Sequence, residues 1–155
     1  MKIQIKSREA LESEALLGFK ERTAIISITD IGDKIVNLKN KPQFLLRLEF
    51  NDISHDSLDM EDTVRGQFAK LYKLGMIKLN QAQEIARFYL SHKDNIDVLI
   101  CQCEHGQSRS AAVAAAILEF RSKKGINVFA SDNYYPNKVV FRSVLNALKK
   151  ESNNE

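Results

Sequence analysis

The sequence is poor in the residues that mark several classes of protein. It contains no tryptophan, two cysteines, two prolines and six glycines in 155 residues. Two cysteines separated by a single residue do not make the disulfide framework of a small secreted domain. No proline- or glycine-rich linker, internal repeat or low-complexity tract divides the chain. We therefore expect a single domain over residues 1–150, followed by a frayed tail over residues 151–155.

Long apolar runs and an excess of one charge are also missing. No apolar stretch approaches the roughly 18 residues of a membrane span, and the N-terminus lacks the apolar core of a signal peptide. The net charge is only +3, from 23 basic and 20 acidic residues, and such a balance does not indicate a nucleic-acid or membrane partner. We expect a cytoplasmic monomer that needs neither, because a reducing compartment is the default for this cysteine content.

The segments that are present alternate between strand-like and helix-like patterns. Four of them are rich in apolar and β-branched residues, as strands are: MKIQI at the start, TAIISIT from Thr23, QFLLRLEF from Gln43 and VLIC from Val98. Among the helices between and after them, one is capped by Ser7, one opens with a capping box of Asn80 and Gln83, one stops at Gly125, and the last begins after Asn137. This order predicts an α/β fold with a mostly parallel central sheet of about four to five strands flanked by helices.

The segment CEHGQSRSAAVAAAI, from Cys103 to Ile117, follows the last of these strands directly. A strand, a tight loop containing Gly106 and a helix beginning near Arg109 form a common arrangement for binding an anion. Arg109 adds a planar guanidinium that can bind two phosphate oxygens. Because these positive groups favour the ionised sulfur, Cys103 is expected to be a thiolate at neutral pH. A thiolate beside a bound phosphate indicates nucleophilic attack on phosphorus.

The same residues resemble a known superfamily. The stretch VLICQCEHGQSRSAAVAAAIL is similar to the signature of the cysteine-dependent protein tyrosine phosphatases. Its Cys-x-x-Gly-x-Ser-Arg-Ser form is most similar to the dual-specificity branch and to small bacterial tyrosine-phosphatase-like proteins. AIISITD, LLRLEFND and YYPNKVVFRSVL resemble other parts of that fold, so the resemblance covers most of the chain. The residue before the cysteine is usually histidine in this superfamily, whereas here it is Gln102.

The resemblance implies a role for each residue of the loop. Cys103 would be the nucleophile that forms a phosphocysteine, Arg109 would bind the phosphate, and Ser110 would hydrogen-bond the sulfur and assist its departure. The substrate's phosphate oxygens would be held by the loop residues Glu104, His105, Gly106, Gln107, Ser108 and Arg109. No metal and no cofactor are needed, because the loop and the arginine supply the positive charge.

The resemblance also requires an aspartate on a separate loop that protonates the leaving oxygen. The polar loop after the third strand offers three candidates, Asp52, Asp56 and Asp59. We choose Asp52, because Phe-Asn-Asp directly follows the strand as in several relatives, and Asp56 is the second choice. The spacing from Asp52 to Cys103 is longer than usual in the family by about one helix.

Other readings of these residues remain open at this point. Cys103 could be a buried structural thiol, and Cys101 reads as a core residue. A rhodanese-like or arsenate-reductase-like enzyme also uses a thiolate in an anion-binding loop, and a phosphate-binding module without turnover is a third reading. We expect a phosphorylated protein or a small phosphomonoester as substrate, with tyrosine or dual specificity. A nucleotide or an RNA 5′-phosphate stays open.

Overall fold

The structure is a computed structural model that describes residues 1–57 and 64–154. Its four strands are β1 (Lys2–Lys6), β2 (Thr23–Thr29), β3 (Phe44–Glu49) and β4 (Val98–Gln102). Its helices are α1 (Arg8–Leu17), α2 (Val64–Lys73), α3 (Leu79–His92), α4 (Arg109–Ser122), α5 (Ile126–Phe129) and α6 (Lys138–Ser152), with a short 3-10 helix at His55–Ser57. The α/β prediction is confirmed, since strands and helices alternate along most of the chain.

The four strands form one sheet in the order β1-β4-β2-β3, and all three neighbouring pairs are parallel. Alternate residues of each strand face opposite sides of the sheet. On one side Leu99 and Cys101 pack into the larger core with α3, α4 and α6, and on the other Ile25 and Ile100 pack against α1. Helices therefore cover both faces, and the interior position of β4 places its carboxyl end at the centre of one sheet edge.

Helix α4 packs behind the loop that follows β4. Every residue from Arg109 to Ile117 is buried, because alanines let the helix approach both the sheet and its neighbours. Helix α6 packs against both α3 and α4. Its buried face includes Val140, Val144 and Leu148, each fully buried.

Two predicted helix ends were wrong. Helix α3 begins at Leu79 rather than after Asn80, and its capping contact is a hydrogen bond from the Lys78 N–H group to Gln81 Oε1 at 2.9 Å. Helix α4 does not run to Gly125, because Lys123 adopts the left-handed conformation with φ 59° and ends it.

The chain's last residues are partly helical. Helix α6 continues to Ser152, and Glu151 accepts hydrogen bonds from the Arg87 guanidinium at 3.1 and 3.2 Å. The first two residues of the expected tail thus belong to the helix, while the single-domain assignment stays a prediction. Within the described ranges, no helix is both long enough and apolar enough to span a bilayer.

Candidate active site

The loop between β4 and α4 holds the residues on which the sequence interpretation depends. Cys103 directly follows β4 and is 2% exposed, and Arg109, the first residue of α4, is 4% exposed. The Cys103 Sγ atom lies 3.0 Å from the Oγ atom of Ser110, within hydrogen-bond distance. The structure therefore brings the thiol and the hydroxyl into contact at the carboxyl end of an interior strand.

Gly106 lets this loop pass very close to the start of α1. Its φ is 67°, a left-handed conformation that glycine adopts without steric cost. A Cβ atom at this position would lie 2.6 Å from the Ser7 nitrogen and 2.7 Å from the Lys6 carbonyl carbon. The Arg8 N–H group also donates to the Glu104 carbonyl at 3.1 Å. The loop is thus held against the β1–α1 junction by contacts that only glycine permits.

The backbone polarity of the loop suits an anion. The carbonyl groups of Gln107 and Ser108 accept hydrogen bonds from the N–H groups of Tyr135 and Asn137. In contrast, the N–H groups of residues 104–108 donate to no protein acceptor within the described part of the chain. Unpaired N–H groups at the start of a helix, with the positive end of its dipole, are a ready site for phosphate.

The Arg109 side chain is anchored along one edge and unpaired along the other. Its Nη1 atom donates to the Phe50 carbonyl at 2.7 Å and lies 2.6 Å from Asp30 Oδ1. Its Nε atom is buried and has no hydrogen-bond partner, and Nη2 bonds to none of the described residues. An unpaired buried donor is costly, so the Nε–Nη2 edge is suited to an acceptor with two oxygens, such as phosphate.

Asp30 and the Phe50 carbonyl were missed by the sequence reasoning. Asp30 follows β2 directly and Phe50 follows β3 directly. Because the strands are parallel, their carboxyl ends meet at the same edge of the sheet as Cys103. The position of an acidic residue immediately after a buried strand was the available signal, but the strand order was needed to pair it with Arg109.

Asp52, the first choice for the acid, lies beside the loop between β4 and α4. Its Oδ1 atom accepts hydrogen bonds from Ser108 Oγ and from Asn137 Nδ2, both at 2.8 Å. Asn137 is 5% exposed and also donates to the Ile53 carbonyl at 3.1 Å. Its Oδ1 caps α6, as expected. Both hydrogen bonds fall on Oδ1, so Oδ2 has no partner among the described residues.

The other two candidate acids are Asp56 and Asp59. Asp56 belongs to the short 3-10 helix, but its side chain lies outside the described part of the structure, and so does the whole of Asp59. The choice of Asp52 stays a prediction, and its contact with Ser108 favours it.

The residues before Cys103 are buried in the core. Burial, with a smaller contribution from the Cys103 charge, raises the pKa of the Cys101 thiol to about 12. Cys101 is therefore a neutral thiol at pH 7, which agrees with its position in the core. Gln102 is fully buried, accepts a hydrogen bond from Ser27 Oγ at 2.5 Å, and has an unpaired Nε2 atom.

On the α1 side of the loop, charges are paired with one another. Arg8 Nε donates to Glu104 Oε2 at 2.7 Å, and this hydrogen bond is the main reason that the pKa of Arg8 is raised. Arg8 also lies 3.5 Å from Glu12. These residues and His105 line an open cleft of about 750 Å³ that does not include Cys103 or Arg109 among its described walls. No group of three or more candidate metal ligands occurs in the described ranges.

Comparison with known proteins gives matches in structure rather than in sequence. No protein-family profile and no curated protein matches the chain. A mouse dual specificity phosphatase complexed with zinc tungstate is similar with a TM-score of 0.57 and 15% identity, over 98% of this chain and 85% of that one. PTPMT1 in complex with PI(5)P is similar with a TM-score of 0.54 and 13% identity, over 99% of this chain and 94% of that one. Human DUSP28 is similar with a TM-score of 0.51 and 14% identity, over 99% of this chain and 95% of that one.

These neighbours settle the architecture. The chain has the protein tyrosine phosphatase fold. The low identities carry no residue roles from those proteins to this one, so the roles of the phosphatase-like loop must come from its own geometry. That geometry brings Cys103, Ser110, Ser108 and Asp52 to one edge of the sheet, with Arg109 anchored behind them.

We predict that Gly106→Ala disables anion binding by the loop between β4 and α4. The added methyl group would meet backbone atoms of Lys6 and Ser7, which cannot move aside as a flexible side chain can. Binding of inorganic phosphate or vanadate, measured by calorimetry, should weaken by at least about tenfold, since roughly 1.4 kcal/mol is sufficient for that change.

The matched control is Gly18→Ala. Gly18 also has a positive φ, of 85°, but a Cβ there meets nothing within 4 Å. This variant should lose some stability yet bind phosphate as tightly as the wild type. Equal affinity in the Gly106 variant and the wild type would contradict the proposed role of this close approach.

Proposed function

We propose that the protein is a phosphomonoester hydrolase that works through a phosphocysteine intermediate. Its substrate would be a phosphoprotein, and its specificity would be for phosphotyrosine or dual. The observation that carries the proposal is the unpaired Nε–Nη2 edge of the buried Arg109 side chain. Arg109 directly precedes Ser110, whose hydroxyl contacts the Cys103 sulfur. A buried guanidinium whose other edge is already anchored is a preorganised site for a charged, two-oxygen ligand. The unpaired loop N–H groups provide further donors for the same ligand.

The reaction would proceed in two displacements. In the first, the Cys103 thiolate attacks phosphorus, the bond from phosphorus to the leaving oxygen breaks, and Asp52 transfers a proton to that oxygen. In the second, Asp52 takes a proton from water as the water oxygen attacks phosphorus, and the sulfur–phosphorus bond breaks. Ser110 Oγ, at 3.0 Å, would donate to the sulfur as it leaves. The loop N–H groups and Arg109 stabilise the charge on the phosphate oxygens in both transition states.

The acidic loop position Glu104 informs the choice of substrate. One structural neighbour, PTPMT1, has been solved in complex with PI(5)P, so a phosphoinositide is the competing substrate. Relatives that act on polyphosphoinositides tend to carry lysines at the second and fifth loop positions, where this chain has Glu104 and Gln107. Since Glu104 is already paired with Arg8, these two side chains together present no net positive charge to a polyanionic headgroup. A phosphoprotein is therefore the better substrate for this site.

Replacing Cys103 separates chemistry from binding. Cys103→Ser should abolish turnover of p-nitrophenyl phosphate, because a hydroxyl is far less ionised than a thiolate at neutral pH. Phosphate binding should largely survive, since Arg109 and the loop N–H groups remain. Steady-state kinetics and calorimetry measure the two effects.

Cys101→Ser is the matched control for this variant. Cys101 is fully buried, and its pKa of about 12 keeps it protonated at neutral pH, so most of the activity should remain. An equal loss of activity from both serine variants would indicate a dithiol mechanism and contradict the proposal.

The role of Asp52 can be tested through the leaving group. A general acid contributes about 10²–10⁴-fold, and its help matters most for a basic leaving group. Asp52→Asn should therefore slow hydrolysis of a phosphotyrosine peptide strongly and that of p-nitrophenyl phosphate much less, as judged by kcat/KM. Asp56→Asn and Asp59→Asn are the controls. If one of them shows the leaving-group dependence instead, Asp52 is not the acid.

A further inference from the structure

A second cleft opens on the side of the loop opposite to α1. It has a volume of about 570 Å³, and Asp52 and Ser108 form one of its walls. Under the proposed function, Asp52 donates a proton to the leaving oxygen and must lie within hydrogen-bond distance of it. Whatever is bonded to that oxygen must extend past Asp52. The cleft is therefore the place where the body of the substrate, beyond its phosphate, has to lie.

The wall next to Ser108 is aromatic and apolar. Phe129, Tyr134, Tyr135 and Pro136 line it, and Tyr135 is 73% exposed. The Tyr135 backbone is fixed by its hydrogen bond to the Gln107 carbonyl at 2.8 Å, so this wall is attached to the loop itself. Aromatic surfaces pack well against a phenyl ring. An inositol ring would instead bring hydroxyl groups that need hydrogen-bond partners along the wall.

The remaining wall carries two unpaired cations. Lys138 and Arg142 lie four residues apart on α6, so they share one face of the helix. Both line the cleft and both are exposed. Neither forms a salt bridge with any residue in the described ranges, and Asp52 is the single carboxylate among the described residues of the lining. This side of the loop therefore differs from the α1 side, where Arg8 is neutralised by Glu104.

We propose that this cleft selects tyrosine-phosphorylated peptides that carry a second anionic group close to the phosphotyrosine. The phenyl ring would lie along the aromatic wall, and Lys138 with Arg142 would bind the second anion. This inference rests on the proposed function and specifies its substrate class. A carboxylate side chain and a second phosphate present the same chemistry to these two cations, so the two sources of charge are compared directly.

The test uses three phosphotyrosine peptides that are identical except for the neighbouring residue, which is Glu, phosphoserine or Gln. For the wild type at low ionic strength, kcat/KM for a charged peptide should exceed that for the Gln peptide by about three- to tenfold, since exposed charge pairs contribute modestly. The advantage should shrink at about 0.5 M salt, where screening is strong.

Two double variants show where the preference arises. Lys138→Ala/Arg142→Ala should bring the ratio of kcat/KM for charged and neutral peptides close to one. Lys149→Ala/Lys150→Ala removes the same charge from exposed positions in the last turn of the same helix, and should keep the wild-type ratio. All four side chains are exposed, so misfolding is not an expected cause of either result.

Each outcome is informative. A larger ratio for the Glu peptide assigns a carboxylate to the cleft and a larger ratio for the phosphoserine peptide assigns a phosphate, and either supports the proposal. A wild-type ratio of one, or a preference that survives Lys138→Ala/Arg142→Ala, overturns it. A higher kcat/KM for a short-chain PI(5)P or a nucleoside 5′-monophosphate than for every peptide also overturns it.

Failure of the proposed function would be seen separately, as no turnover of any phosphomonoester, including p-nitrophenyl phosphate. The affinities of the three peptides for Cys103→Ser, measured by calorimetry, then still test the cleft. The same three- to tenfold preference in affinity, lost when Lys138→Ala and Arg142→Ala are added to Cys103→Ser, would support charge selection without turnover. Equal affinities would contradict it.

Discussion

The anchored guanidinium of Arg109 is the interaction on which the rest of the site depends. A charged residue that is only 4% exposed must be paired, and here Phe50 and Asp30 satisfy only its Nη1 atom. These partners come from two different strand ends, so the guanidinium links the β2 and β3 loops to the α4 helix. What remains is an unpaired edge in a fixed orientation. A site that is charged and rigid before its ligand arrives is the usual source of electrostatic stabilisation in catalysis.

The parallel sheet supplies the geometry that this interaction requires. Since β4 lies between β1 and β2, its carboxyl end is surrounded by the β1–α1 junction on one side and by Asp30 on the other. Gly106 permits the first contact, and Arg109 makes the second. On the far side of the loop, Asn137 joins the start of α6 to Asp52. Substrate binding and proton transfer would therefore be positioned by elements that are distant in sequence.

Much of this arrangement could be predicted from the sequence, because its central part is continuous. Cys103, Arg109 and Ser110 lie within eight residues, and the pattern of a strand, a short loop and an alanine-rich helix determines their relative placement. Asp30 and the Phe50 carbonyl could not be assigned, since their contact with Arg109 depends on strand order. The start of α3 was mispredicted because the backbone N–H group of Lys78 bonds to Gln81, two residues before the predicted capping pair. The end of α4 was mispredicted because Lys123 adopts the left-handed conformation two residues before Gly125. A left-handed lysine has no sequence signature.

The central claim is that Cys103 becomes phosphorylated during turnover. Acid quenching of the wild-type enzyme during turnover of p-nitrophenyl phosphate, followed by proteolysis and mass spectrometry, tests it most directly. We expect a phosphoryl group on the peptide that contains Cys101 and Cys103, located on the Cys103 sulfur and retained when Cys101 is replaced by serine. Sustained turnover with no phosphoryl group on Cys103, or a persulfide at that sulfur with a sulfur-donor substrate in place of hydrolysis, would contradict the account.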